Sequence, residues 1–493
     1  MIGANGTAGL ANFPATFTSN PADCANDFAV FNTSLPGSSS QASILAVNQL
    51  YSGCTPNPSI YWAYDTGGAI MTSVSTSLDG TQIMFVQSDN TTGNADLVLL
   101  KWAASSGSLT SPIELTSNSS YPDCTAPCMI SIPFAGSPTD SFSTAFVDYS
   151  TGNVYVGDDA GNLHKFINVF TDSTPTEAIA SWPIAVSTAG GSLASPLQDP
   201  VSGNIFVGDY ELSLDSSCGS VGGSPDGQCG FLYFVNSETG AVTQSAQLDY
   251  NLGIYNVLVD PAAEMVYAFV GADNSTSCSG GSCAAVFQLS PTFSSGASGT
   301  EATVGAGYEM LFGGSFDNQY YISDDPPSGH LYVVGGTGPQ NNTLYAITIT
   351  NNVMTSGAAT AGPELANNYT NGYYAAGLPI TEFCNDGGNP CTSDEGPDYL
   401  FLGVLAFGDE FATNPCTSQS ETIGCAMGFT APTSGVISTS AIPNGTLPES
   451  GGTSGVVIDY SSNIYFSTLY NQTCTTSGGN GGCAVSATQA GLE

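Results

Sequence analysis

The stretch Val147-Asp148-Tyr149-Ser150-Thr151-Gly152-Asn153-Val154-Tyr155-Val156-Gly157 decides how the rest of the chain is read. An apolar residue leads into aspartate, a Ser/Thr/Gly/Asn turn follows, and a β-branched and aromatic run emerges from it. Asp and Ser bond their own backbone in such a turn, and Gly or Asn tolerates positive φ. The Val-Tyr-Val run suits a pleated, half-buried surface. The segment therefore reads as two short strands around a tight turn. Asp199-Pro200-Val201-Ser202-Gly203-Asn204-Ile205-Phe206-Val207 repeats it with the same step from aspartate to aromatic. Asp260 to Tyr267 and Asp325 to Tyr332 keep that step, while Asp79 to Phe85 and Asp459 to Tyr465 shorten it by one.

The turn aspartates fall at 79, 148, 199, 260, 325 and 459, so a unit runs 51–69 residues and the last interval holds two. Units of this size with several strands each, and without amphipathic helix patterns, indicate an all-β propeller rather than a helical solenoid. Innermost strands are predicted near 69–77, 141–148, 191–198, 254–259, 317–323, 371–377 and 454–459. Outermost strands are predicted near 59–65, 112–116, 178–186, 241–248, 301–307, 353–359 and 435–442. Both sets count seven, which favours seven four-stranded antiparallel blades. The closing blade would then join Gly455–Asp459 to Ser59–Asp65, so that strands from the two chain ends close the ring and leave few exposed edges. The hairpins 27–33 with 43–49 and 463–469 with 483–488 leave one pair over, so eight blades is the alternative. Residues 1–26 read as an extended N-terminal arm, and 27–493 as a single propeller domain.

Composition limits the partners. Lys101 and Lys165 are the only lysines, arginine is absent, and 41 acidic residues give a formal net charge of −39. Nothing could neutralise phosphates, so nucleic acid and anionic membrane surfaces are excluded as partners. Compositional drift in a secreted protein accounts for so few bases; the sharper alternative is adaptation to an acidic or protease-rich setting, where carboxylates lose their mutual repulsion and a trypsin-like protease finds little to cut. No apolar run reaches the roughly 18 residues of a membrane span; Tyr399–Phe407 is the longest and reads as a buried strand. Met1–Leu10 lacks a basic start and a long apolar run, so a leader removed before this numbering, or another secretion route, is expected.

The 14 cysteines fall into neighbouring pairs: Cys24 with Cys54, Cys124 with Cys128, Cys218 with Cys229, Cys278 with Cys283, Cys384 with Cys391, Cys416 with Cys425, and Cys474 with Cys483. The pairs 218/229, 278/283 and 474/483 bracket loops between second and third strands, whose ends a hairpin brings within disulfide range. An even count of this kind implies an oxidising compartment, extracellular or on the cell surface. Cys124-Thr-Ala-Pro-Cys128 resembles half a zinc site, but no partner pair lies at finger spacing. Sequons begin at Asn5, Asn32, Asn90, Asn118, Asn274, Asn341, Asn368, Asn444 and Asn471, mostly in predicted loops where a glycan fits.

The text Tyr61 to Val86, "YWAYDTGGAIMTSVSTSLDGTQIMFV", resembles blades of PQQ-like, quinoprotein-type propellers, and "NVYVGDDAGNLHKF" at 153–166 resembles their second hairpin. The turn units also look like those of secreted bacterial propellers with YVTN-type repeats. The resemblance implies the fold. It departs where the quinone would bind, because there is no arginine, both lysines lie in third strands, and only Trp62, Trp102 and Trp182 are present.

Chemistry is sparse. His164 and His330 have no Ser, Cys or His at triad spacing, and no nucleophile elbow or P-loop occurs. Asp158-Asp159, Asp209, Asp324-Asp325 and Asp409-Glu410 end strands or start turns. Turn chemistry accounts for them, and calcium with backbone carbonyls is the one ion they could hold. A carboxylate pair could serve a glycoside hydrolase, but one sequence does not show which two face each other. Tyr320, Tyr321, Tyr373 and Tyr374 lie on predicted inner strands and read as blade packing. No catalytic residue, cofactor or metal site is assigned. The expectation is a disulfide-stapled, non-enzymatic scaffold, binding or surface-assembly protein, meeting protein or glycan partners at its loops or assembling with itself. The alternatives are a hydrolytic, carbohydrate-active propeller using acidic residues, and a degenerate quinoprotein.

Overall fold

A computed structural model describes residues 1–2, 12–55, 58–136, 139–187, 191–210, 230–275, 277–278, 281–307, 310–323, 325–336, 342–366, 377–384, 398–405, 423–432, 434–474 and 480–488. The described chain is all-β apart from one five-residue helix, Asn318–Ile322 (α1). It divides into two compact units, Met1–Ala185 with Thr453–Gln489, and Val186–Gly452 with Ala490–Glu493.

In the first unit, one antiparallel sheet runs Ala15–Phe17, Phe28–Asn32, Ile44–Asn48, Ser59–Asp65. The next carries Gly68–Ala69 and Ser75–Thr76 on its inner edge, then Gln82–Asp89, Ala95–Lys101 and Cys128–Pro133. The third runs Phe146–Asp148, Asn153–Gly157, Asn162–Ile167, closed by Thr176–Glu177 and Ile184–Ala185. A C-terminal sheet of Val457–Ile458, Asn463–Ser467 and Ala484–Thr488 completes the unit.

The second unit repeats the plan. Asn204–Tyr210, Gly230–Asn236 and Val242–Asp249 follow an inner edge of Ser192–Leu193 and Leu197–Gln198. Asn256–Asp260, Met265–Val270, Cys283–Leu289 and Thr300–Ala306 come next, then Ser315–Phe316, Gly329–Gly336, Asn342–Thr350 and Thr360–Ala366. Thr381–Cys384, Asp398–Val404, Ile423–Ala431 and Gly445–Ser450 form the last.

Both faces of these sheets are buried, which is why their middle strands read as unbroken apolar runs. Side chains alternate across a strand. Ile83 and Phe85 accordingly pack with Phe28, Trp62 and Val98, while Met84 and Val86 pack with Leu97, Val154 and Phe166. Val266 and Ala268 face Phe206, whereas Tyr267 and Phe269 face Leu331 and Val333. Consecutive sheets within a unit thus stack face to face. Ile2 and Tyr465 share a core with Phe31, Leu45 and Ala63, so the C-terminal sheet packs against the first sheet within this unit.

A second device joins neighbours. Before its fourth strand, the chain laps onto the fourth strand of the preceding sheet. Ser105 N–H donates to Tyr61 O and Ala63 N–H to Ser106 O; Gly296 N–H donates to Gln244 O and Ala246 N–H to Ala297 O. Gly357–Ala358 runs parallel to Thr300–Ala306, and Ala359 N–H donates to Thr303 O. Gly107 needs its φ of +74° here, and a Cβ would lie 2.2 Å from Ala63 O.

These laps account for most misplaced strands. Ile113–Glu114, expected as a fourth strand, instead runs parallel to Ser59–Asp65, and Cys128–Pro133 takes the fourth place because Met129 and Ile130 bury there. Likewise Thr360–Ala366, not 353–359, and Gly445–Ser450, not 435–442, are the fourth strands. None of the expected inner strand 317–323 is strand; the short strand Ser315–Phe316 ends just before it. Asp317 caps α1, its side chain accepting from Tyr320 N–H, and local capping overrides strand propensity. Gly455–Asp459 does not pair with Ser59–Asp65. Val457–Ile458 pairs within the C-terminal sheet, and Ala15–Phe17 supplies the inner strand of the first. Of the strand expected at 371–377, only Gly377 is described, bridging to Val404.

Candidate functional site

Several of the carboxylates raised by the sequence close a turn or a core among the described residues. Asp148 Oδ1 accepts from Ser150 N–H at 2.9 Å and Ser150 Oγ at 2.6 Å. Asp79 binds Ser77 and Thr81, Asp199 binds the amides of Val201 and Ser202, and Asp459 binds those of Ser461 and Asn463. Burial alone would raise Asp79 and Asp148, but the turn hydrogen bonds outweigh it and hold both below the ordinary value. Buried Asp209 accepts from Phe231 N–H, Ser187 Oγ and Tyr233 Oη at 2.7–2.9 Å, and burial pushes it up to about 6. Asp324, Asp409 and Glu410 lie outside the described residues, as do Tyr373 and Tyr374.

His164 is fully buried between two carboxylates, with Nε2 3.1 Å from Asp158 Oδ2 and Nδ1 2.7 Å from Glu177 Oε1. Phe134 packs against its ring at 4.5 Å. Burial opposes protonation of His164, yet the two carboxylates raise it above its ordinary value. Both ring nitrogens are thus bonded and the ring is closed off from solvent, as in a structural ion pair. Both lysines are likewise occupied. Lys101 Nζ donates to Pro122 O over the Tyr121 ring, and Lys165 Nζ lies 5.5 Å from the Tyr155 ring centre and 5.8 Å from that of Trp182.

One cluster has a different character. Glu382 pairs with Leu400 and Cys384 with Asp398, so Glu382 and Asp398 stand on one face of the hairpin, one diagonal step apart. Their carboxyls are near enough to shift each other, as a hydrogen bond between them would. Asp398 Oδ2 also accepts from Asn318 N–H at 2.8 Å, and Asp317 Oδ2 lies 2.9 Å from His330 Nδ1. Burial, then the bond and repulsion from Asp398, push Glu382 up to about 9, and burial raises Asp398 as well. Their chemistry is to share a proton. The sequence reading missed Glu382, Asp317 and Glu177, because only strand register reveals which carboxylates meet across a hairpin.

Tyr320 and Tyr321 lie on α1. Tyr320 stacks on Phe316 at 4.1 Å and bonds Asp260, while Tyr321 is exposed. Among the described residues, no group of three or more His, Cys, Asp or Glu is arranged to hold a metal. Disulfides join Cys24 to Cys54, Cys124 to Cys128, Cys278 to Cys283, and Cys474 to Cys483. Cys384 and Cys425 are also disulfide-bonded; Cys391, Cys416, Cys218 and Cys229 lie outside the described residues. Of the sequons, Asn90, Asn274, Asn444 and Asn471 are exposed and Asn118 partly so, while Asn5, Asn341 and Asn368 are not among the described residues. Asn32 is buried, its amide donating to Ile70 O and Thr72 O, so this packing has no room for a glycan there.

No protein-family model matches the chain, and no curated protein sequence matches it. Among solved structures it is similar to BamB from Moraxella catarrhalis, at 11% identity and a TM-score of 0.42, over 96% of this chain and 97% of that one. It is also similar to prolyl oligopeptidase B from Galerina marginata, at 10% identity and a TM-score of 0.42, over 99% of this chain and 56% of that one.

Proposed function

We propose that this protein is a non-enzymatic scaffold or surface-assembly protein of an oxidising, extracellular setting, built as a β-propeller. The observation that carries the reading is where the chain spends its charged groups. Among the described residues, both histidines, Lys101 and the turn aspartates Asp79, Asp148, Asp199 and Asp459 are held in bonds that close turns or lock cores, and Lys165 lies over two aromatic rings. Disulfides staple its loops, which favours the rigidity of a scaffold. Among the described residues the strands group into eight successive sheets, two of them joined edge to edge, and we read these as eight blades rather than seven, with the ring closing where Ile2 and Tyr465 pack on the first sheet. Glycans at Asn90, Asn274, Asn444 and Asn471 fit this placement.

Self-assembly has one specific support. The outer strand of the C-terminal sheet, Ala484–Thr488, pairs among the described residues only with Asn463–Ser467. It carries neither charge nor proline, the usual protections of an edge against pairing with another chain. A second copy of this chain is the partner in this reading. Sedimentation and electron microscopy of the purified full chain at pH 4–5 test it. Ordered oligomers, reduced by Val485→Asp, are expected. Turnover of a polysaccharide or peptide, abolished by Asp398→Asn in a folded protein, would overturn it in favour of a hydrolase.

A further inference from the structure

The Glu382–Asp398 pair offers more than packing. Glu382 Oε1 and Asp398 Oδ1 are shielded from solvent, and neither has a hydrogen-bond donor among the described groups. Two ionised carboxylates cannot satisfy each other, because both only accept. One proton between them satisfies both. The other Asp398 oxygen holds Asn318 N–H, the first amide of α1, while Asp317 caps the same turn through Tyr320 N–H. The proton therefore sits at a joint: it ties Thr381–Cys384 to Asp398–Val404, and through Asp398 ties that hairpin to α1.

Among the described residues, the groups facing the pair are few. Asp317 and Tyr321 come from the start and middle of α1, and His330 and Tyr332 from the strand Gly329–Gly336. His330 is bonded to Asp317, and no lysine or arginine is within the pair's described surroundings. Asp317 adds negative charge against ionisation of Glu382, and burial raises Tyr321 and Tyr332, which favours their neutral forms. No cation stands ready to replace the proton.

We propose that Glu382 and Asp398 form a proton-held latch that fastens α1 to the adjoining hairpin in acid, and that removing the shared proton unfastens it. The step is a simple loss of H⁺ from the Glu382 carboxyl to solvent, leaving two carboxylates that repel and turn apart. Asn318 N–H then loses its anchor and the first turn of α1 loosens.

The test uses the full chain. Glu382→Gln keeps a donor toward Asp398 but cannot ionise. Its melting temperature should match wild type at pH 4 and exceed it by about 5 °C at pH 8. Hydrogen exchange of the peptide spanning 312–323, corrected for the intrinsic pH effect, should lose protection between pH 5 and 9 in wild type and keep it in Glu382→Gln. A third readout is ¹³C-carboxyl NMR of labelled glutamate: two residues should titrate above the ordinary range, Glu301 raised to about 7 by burial and a higher one assigned to Glu382 by its absence in Glu382→Gln. An equal change in melting temperature at both pH values, unaltered protection of 312–323, or a Glu382 that titrates with the other glutamates would each overturn the latch.

Discussion

His164 and Glu382 mark two solutions to one problem, the burial of carboxylates in a chain almost without bases. Around His164, Asp158 and Glu177 flank an imidazole that takes up their charge, and Asp158 stays below its ordinary value although burial alone would raise it. Around Glu382 no cation meets the pair, so one carboxyl keeps its proton instead. The first site uses one of only two histidines; the second uses solvent protons, which are plentiful only in acid. A chain with two lysines and no arginine can repeat the second solution cheaply and the first hardly at all.

The largest break in this comparison comes from His164→Ala. It strands Asp158 and Glu177 in a core without a counter-charge, and a loss of about 3–5 kcal/mol is expected by denaturant unfolding at pH 6. His164→Gln sharpens the contrast, since it keeps hydrogen bonding but not charge. The folded His164 value is raised, so its contribution is present below about 6.5 and is lost as pH rises through the higher folded value. His164→Gln should therefore cost most at pH 5 and least at pH 8. Asp148→Ala, at an exposed turn, should cost about 0.5–2 kcal/mol. Because that carboxyl is depressed, its contribution is present above about 3.8 and fades as pH falls below it. The smallest effect is salt: raising NaCl to 1 M should stabilise the protein at pH 7, by screening repulsion among 41 acidic residues, and do little at pH 4.

Much of the fold was legible because the repeated turn chemistry is local. Asp148, Asp199 and Asp459 form the turns their neighbours imply, and the apolar runs at 83–86 and 266–270 are the two-faced strands they resemble. Fourth strands were less legible. At Ile113–Glu114 and Gly357–Ala358 short segments pair in parallel with the preceding sheet, and nothing in their composition distinguishes that from closing their own. The acidic cluster was not legible at all. Glu382 and Asp398 are separated by a loop whose length conceals their register, and Asp317 reaches them only because it caps a helix where a strand was expected.

The claim beneath both sites is that this fold is most stable in acid. Glu382, with an ordinary value of 4.5 and a folded value of about 9, withdraws stability progressively between those limits, and Asp209 does so from 3.8 to about 6. His164 adds to the loss above neutrality, while the turn aspartates set the lower bound below 3.8. The direct measurement is the melting temperature of the wild-type protein from pH 2.5 to 9 at fixed ionic strength. A maximum near pH 4–5 with a steady fall toward pH 9 is the predicted result. A plateau or a rise between pH 5 and 8 would contradict it.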